Sequence, residues 1–333
     1  MKNLEEILSR VREAGIKALR KAQKAIEDLK SEGLIKIYRE GEIEEEDYNV
    51  SGVDGSYRSM TAFVKPLSII KVAVARFRDD EYSLLGGIEE GEGHTFVRVY
   101  YEDDYVVEGD SLRMLRLEAL AANREIGEGA DYVFIDGPFM NPPPDIYIDH
   151  KLFRDNLNER ARIIRSNAIA FVKRARKNLI TSRYDYLANA SESILLIKML
   201  SLLRRDNPTG AIVIGPFKEY IKGLETTLYR RYVSRSLLHK PVVIEVPEGV
   251  YRKKEGFPER ILSDKYRVND YRANIPNVLR LAHEVARITE GEARNVFSIV
   301  YKALRGLESE FYERCGRLRT KPRRHVRRQD RTH

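Results

Sequence analysis

The residues best suited to chemistry are two aspartates in matching settings. Asp54 closes the apolar segment Val50–Asp54 and is followed by Gly55 and Ser56; Asp136 closes the run Asp131–Asp136 (DYVFID) and is followed by Gly137 and Pro138. One Asp-Gly pair after a strand is ordinarily a turn, since Asp bonds its own backbone and Gly supplies positive φ. Two such pairs on neighbouring strands read differently. Converging carboxylates repel, and keeping both ionised is costly without a cation. Divalent manganese or magnesium takes oxygen ligands. Either ion can activate water and stabilise the attacking and leaving oxygens of a phosphodiester displacement. That chemistry requires a fold that brings the two aspartates together.

The elements that must do so follow from periodicity and punctuation. Leu4, Leu8, Val11, Gly15, Ala18, Ala22, Ala25 and Leu29 alternate steps of four and three, which predicts one long helix over about 3–30. Its narrow seam suits either a dimer contact or an intramolecular strap. An acidic loop (Glu40, Glu42, Glu44, Glu45, Glu46, Asp47) follows. Strand character then covers Val50–Asp54, Tyr57–Val64, Ile69–Phe77 and Thr95–Tyr101, with Asp54-Gly55-Ser56 as a strand end or turn. Asp110 or Ser111 can cap a helix running to about Glu128. The nearly all-apolar run ending at Asp136 has the look of a buried central strand. Beyond the proline-rich loop Asn141–Pro144 we expect a helix over Leu152–Ser166, a strand over Ala168–Lys173 and a helix over Tyr186–Arg204. Strands over Ala211–Ile214, Thr227–Val233 and Val242–Val246 come next, then helices over Pro276–Thr289 and Ala293–Tyr312.

Three antiparallel strands leading into helix-linked parallel ones is the order of a ribonuclease H-like α/β core, with a mixed central sheet flanked by helices. There the first and fourth strands are neighbours at the centre, which would bring Asp54 and Asp136 to one end of the sheet. A third carboxylate is then expected from the intervening helix: Glu118, with Glu125 seven residues on as its competitor. His283 is the best candidate for a ligand from a C-terminal helix, and an imidazole suits manganese better than magnesium. Taken singly, a helical Glu is ordinarily solvated and a lone His ordinarily structural. The combination, in a consistent order, is what points to a metal site.

Composition sets the outer limits. In 333 residues, 42% are hydrophobic, enough for a core, and 33% are charged. Gln occurs only at Gln23 and Gln329 and Trp not at all, a leaning seen in hyperthermophile proteins. The single cysteine, Cys315, excludes an internal disulfide and a cysteine-cluster metal site. No apolar run reaches the roughly 18 residues of a membrane span, and the N-terminus is charged from Lys2, so the sequence reads as a soluble cytoplasmic protein. The net charge of +8 is concentrated from Glu313 to His333, where nine Lys or Arg oppose two acids and leave the other residues at +1. We expect a single domain over 1–312, with its core at about 50–290, and a basic tail over 313–333. The tail suits nucleic acid or an acidic partner, or serves as a solubilising arm.

On these residues the chain resembles the NurA nucleases of archaea and some bacteria, from about Val50 to Thr289. Val53-Asp54-Gly55-Ser56 is similar to the family's opening motif and Phe134-Ile135-Asp136-Gly137-Pro138-Phe139 to its second. Ala170-Phe171-Val172-Lys173, Pro241–Pro247 and Ile275–His283 resemble later blocks. The resemblance implies a manganese-dependent DNA nuclease, a 5′-to-3′ exonuclease that also cuts single strands internally. It also implies a homodimer docked on the hexameric translocase HerA, preparing DNA ends for recombination repair. Carried over, Asp54, Glu118, Asp136 and His283 become metal or catalytic positions, and Lys173 a contact to substrate phosphate or simply a strand-end Lys held by an acid.

Substrate contacts are expected at Tyr57 and Arg58, just past Asp54, and at Arg230, Arg231 and Arg235, interleaved with Tyr229 and Tyr232 on a strand. Arg can hold phosphate and Tyr can stack on unpaired bases. Two other readings stay open: a non-catalytic nucleic-acid-binding protein on the same fold, and a nuclease acting on RNA or RNA–DNA hybrids, which would have to sense the 2′-hydroxyl.

Overall fold

Near-continuous apolar strands need cover on both faces, and here helices supply it. A computed structural model describes residues 2–39, 42–43, 47–62, 65–85, 96–101, 109–140, 151–173, 178–208, 210–221, 225–235, 241–253 and 275–315. The chain runs α1 (Lys2–Ser31), β1 (Ile35–Tyr38), β2 (Val50–Ala62), β3 (Lys65–Arg78), β4 (Glu81–Leu85), β5 (Phe96–Tyr101), α2 (Gly109–Gly127), β6 (Tyr132–Asp136), α3 (Lys151–Ile164) and β7 (Ala168–Val172). It continues through α4 (Glu192–Asp206), β8 (Ala211–Ile221), β9 (Thr226–Ser234), β10 (Val242–Pro247), α5 (Glu248–Lys253), α6 (Asn277–Ala286) and α7 (Glu290–Cys315).

The strands form one ten-stranded mixed sheet in the order β1-β8-β9-β10-β7-β6-β2-β3-β4, with β5 also on β3. At its centre β2 and β6 are parallel neighbours, Val50 opposite Tyr132 through Val53 opposite Ile135. β7 continues in parallel beside β6. This is the expected adjacency of the first and fourth core strands. Past β7 the sheet turns antiparallel: β10 pairs β7, β9 pairs β10 and β8 pairs β9, each in antiparallel register. The strand starting at Ala211 therefore lies three places from β7.

Local corrections have local causes. Asp54-Gly55-Ser56 is not a turn: β2 runs straight through it, pairing Asp54 with Ala73, Gly55 with Val72 and Ser56 with Lys71. The two strands expected over Val50–Val64 are one. The helix expected from Tyr186 begins at Glu192, after a 3-10 turn over Asp185–Leu187. The buried Glu192 carboxylate accepts the N–H groups of Ile180 and Thr181 (2.9 and 2.8 Å) and the Tyr232 hydroxyl (2.7 Å), tying the preceding loop back across the helix start. The helix expected over Pro276–Thr289 stops at Ala286, and α7 starts at Glu290. Strands β1 and β4 and helix α5 went unread. Residues 63–64, Thr95, the loop Asn141–Pro144, Glu40, Glu44–Glu46 and residues 316–333 of the basic tail lie outside the described residues.

Alternation along β2 feeds two cores. Val53 packs with Val72, Val74, Ile135, Leu117 and Ala121 on the α2 side. Val50 packs with Phe134, Ile244, Val278 and Leu279 on the α6 side. Helix α1 divides: Ala22, Ala25 and Leu29 are buried against Leu196, Met199 and Leu203 of α4, while Leu4, Ile7, Leu8 and Val11 are exposed. Its second half is thus a strap. No helix among the described residues is long and apolar enough to cross a membrane.

Two glycines of β2 set how closely the helices approach. A Cβ at Gly52 would stand 2.5 Å from the Val278 carbonyl carbon, so α6 rests directly on the strand. A Cβ at Gly55, on the opposite face, would stand 2.9 Å from Glu118 Oε1 of α2.

Candidate active site

Helix α6 runs alongside β2 in the same direction. Two strand residues advance about 6.6 Å and four helix residues about 6 Å, so the pairings stay in step. Gly52 meets Val278 and Leu279. Asp54 meets His283, with Oδ2 2.6 Å from Nδ1. The Ser56 hydroxyl donates to the Ala286 carbonyl, and Arg58 Nε donates to the Ile288 carbonyl at 3.0 Å. Asp136 arrives from the end of β6, and one ligand atom each from Asp54, Asp136 and His283 lies within 4.8 Å of the others. Asp54 is buried, Asp136 half-buried and His283 exposed. Lys173, just past β7, pairs with Asp136 Oδ2 and keeps 40% of its side chain exposed. Four residues singled out from the sequence thus meet across three strands and one helix.

Glu118 stands apart from that trio. It rises from α2 on the other face of β2, passes the bare Cα of Gly55 and accepts that residue's N–H. Its Oε2 takes Arg160 Nη2 at 3.0 Å, with both side chains almost fully buried. Glu125, the competitor, is engaged elsewhere: Arg76 grips it bidentately (2.7 Å twice) and Ser51 donates to it at 2.7 Å. Ser51 and Gly55 are four strand residues apart, roughly 13 Å, and the seven helix residues between Glu118 and Glu125 span roughly 10.5 Å. The same face of α2 therefore delivers one carboxylate beside Asp54 and the other well away from it.

The electrostatics are those of an acidic cluster short of positive charge. Burial pushes Glu118 up to about 8, opposed by the Arg160 charge and reinforced by Asp54 and Asp136. Asp136 is raised by burial and then by the Asp54 charge, with Lys173 pulling the other way. The hydrogen bond that His283 donates to Asp54 raises the imidazole, against its partial burial. All three groups bind protons more readily in the folded chain, so the folded state holds more protons than the unfolded one from about pH 4.5 upward and stability falls as pH rises. The metal-free protein is expected to melt at progressively lower temperature from pH 5 to pH 9. A divalent ion must displace those protons, so its stabilising effect should grow over the same range. Differential scanning calorimetry with manganese or EDTA checks both slopes; a metal-free melting temperature that climbs towards pH 9 contradicts this account.

Among the expected substrate contacts, Tyr57 and Arg58 are exposed on β2, three and four residues past Asp54. Arg230 and Arg231 must be corrected as surface contacts, since each is buried. β9 is an interior strand, flanked by β8 and β10. Arg230 pairs with Glu245 (2.7 Å) and Glu219, and Arg231 lies over the Tyr251 ring at 5.3 Å. Arg235, past the end of β9, is partly exposed. The sequence reading also missed Arg160 and Glu245. A lone acid inside the apolar strand Val242–Pro247 was a legible signal for Glu245, whereas nothing in α3 marks Arg160.

A family model, the NurA domain, matches residues 48–288. No curated protein matches in sequence. Among solved structures, the NurA nuclease from Sulfolobus solfataricus superposes with a TM-score of 0.63 at 14% identity, covering 92% of this chain and 98% of that one. A NurA structure with manganese gives 0.56 at 10% identity, covering 90% and 98%. One bound to dAMP and manganese gives 0.55 at 10% identity, covering 90% and 97%. At these identities the likeness is one of fold.

Proposed function

The chain belongs to the NurA family, and from that premise we propose that it is a metal-dependent DNA nuclease whose reaction centre is the cluster of Asp54, Asp136 and His283. The observation that carries this reading is the convergence of their ligand atoms within 4.8 Å of one another. The donor set fits a divalent cation. Two carboxylate oxygens and an imidazole nitrogen suit manganese, with magnesium possible, and the Asp54 charge that disfavours ionised Asp136 is the repulsion a cation removes. Manganese in a related NurA structure agrees with that choice.

Asp54, Asp136 and His283 would hold the ion, with Glu118 as the further carboxylate. When bound, the ion would supply Lewis acidity and an activated water for phosphodiester hydrolysis. The rest falls to side chains. His283 must lose its proton before its nitrogen can ligate. Lys173, half-exposed on Asp136, can turn its ammonium to a phosphate oxygen and offset charge developing there. Arg58 and Tyr57, on the strand just past Asp54, lie exposed where a single strand could be held by its phosphates and stacked on its bases. Arg235, past the end of β9 and partly exposed, is a further basic residue proposed to contact phosphate.

We extend the proposal to a 5′-to-3′ exonuclease and single-strand endonuclease acting as a homodimer with the HerA translocase in end resection. The exposed apolar face of the first half of α1 (Leu4, Ile7, Leu8, Val11) is in keeping with such a partner contact. The direct test is end-labelled single-stranded DNA incubated with manganese, magnesium or EDTA. Cleavage with manganese and none in EDTA is expected. DNA that is bound but left uncut with every metal, with and without HerA, overturns the enzyme reading.

A further inference from the structure

We propose that Arg160 is a positioning residue for this site: one guanidinium sets the direction of Glu118 and fixes the loop that follows Asp136, so that the carboxylate from α2 and the one from β6 are held in a constant relation. This inference rests on the metal reading above and deepens it. Arg160 sits on α3, with its side chain 1% exposed. Its Nη2 donates to Glu118 Oε2 at 3.0 Å, and its Nη1 donates to the carbonyls of Pro138 and Phe139 at 3.0 and 3.3 Å. Those carbonyls belong to the second and third residues after Asp136. Glu245 of β10 holds the same loop from another side, accepting the Phe139 N–H on Oε2 at 3.0 Å while Arg230 Nε donates to its Oε1 at 2.7 Å.

Packing alone does not explain an arginine here. Its Nε is buried without a partner, which is destabilising, and apolar residues of similar volume are often at least as stabilising as a buried ion pair. What an apolar residue cannot do is bridge two ligand-bearing segments. The planar guanidinium can, because its donors point in fixed directions to a carboxylate and to two loop carbonyls at once. Lysine, a point charge on a flexible stem, can satisfy Glu118 or the loop but not both in one geometry.

The test uses Arg160→Lys and Arg160→Met in the full chain, with Glu118 untouched. Manganese binding is followed by the loss of the free-ion electron paramagnetic resonance signal, independently of cleavage, and melting temperatures are taken alongside. Groups that orient metal ligands are typically worth 10–100-fold in metal affinity or activity. Arg160→Met is therefore expected to weaken manganese binding by about that factor, with Arg160→Lys recovering part of it. Should Arg160→Met fail to fold, Arg160→Lys decides: folded and weaker by roughly tenfold upholds the role. Wild-type manganese affinity together with wild-type cleavage in either folded variant overturns it. A wild-type protein that takes up no manganese overturns the metal reading itself, a distinct result visible before any variant is made.

Discussion

Asp136→Asn is expected to lower DNA cleavage in manganese by about 10³-fold or more while raising the melting temperature of the metal-free protein at pH 8. Removing a ligand from a site that supplies several kcal/mol of charge stabilisation costs on that scale, at 1.36 kcal/mol per tenfold. The gain in stability has a separate origin. Asp136 is disfavoured as an anion first by burial and then by Asp54, and the amide keeps its shape without its charge. Lys173 loses a partner, but its side chain is 40% exposed and water takes over cheaply. Opposite signs for activity and stability are the mark of a site held under electrostatic strain for function. An Asp136→Asn variant that still cuts at wild-type rate would remove Asp136 from the reaction centre, and one that melts lower than wild type would contradict the electrostatic account.

The second large effect separates two glutamates that the sequence left in competition. Glu118→Gln should abolish most cleavage, by about 100-fold or more, while leaving the chain folded. Its amide can still accept from Arg160, burial already disfavours the Glu118 anion, and Arg160 keeps the charge of Glu245 nearby. Glu125→Gln should destabilise by about 1–3 kcal/mol, a loss limited because Arg76 still reaches Glu128. It should cut at wild-type rate wherever it is folded, since its oxygens are committed to Arg76 and Ser51. Rates measured well below both melting temperatures, with chemical denaturation run in parallel, make the comparison. Equal loss of activity in both variants would contradict the assignment of Glu118 to the site.

Much of this was legible in the residues. The apolar run ending in Asp136 had to be a central strand, because no amphipathic alternation offered it a solvent face. The order of strands and helices sufficed to make β2 and β6 neighbours, and the family motifs converged on Asp54, Asp136, Lys173 and His283, which the fold does bring together. The sequence also carried the glycines at 52 and 55, though not their use: period and composition cannot say that one admits a helix backbone and the other a carboxylate.

The remaining features were decided by tertiary structure, for identifiable reasons. Asp54-Gly55 has the local chemistry of a turn, but thirteen paired residues of β3 keep the strand extended through it, and the ladder outweighs the local preference. Tyr229-Arg230-Arg231-Tyr232 has the composition of a nucleic-acid surface. β9 nevertheless became an interior strand, and its arginines were drawn to Glu245 and Tyr251. Glu118 and Glu125 have the same residue type on the same helical face. Only the antiparallel run of α2 across β2 puts one beside Asp54 and gives the other to Arg76. Arg160 carries no signal at all along the chain, because its role is defined by what α3 is packed against. The sequence by itself determined which side chains were capable of chemistry and which strands had to be central. Which of those side chains share one site was decided by long-range packing, because the distances that matter here lie between residues as many as 229 positions apart.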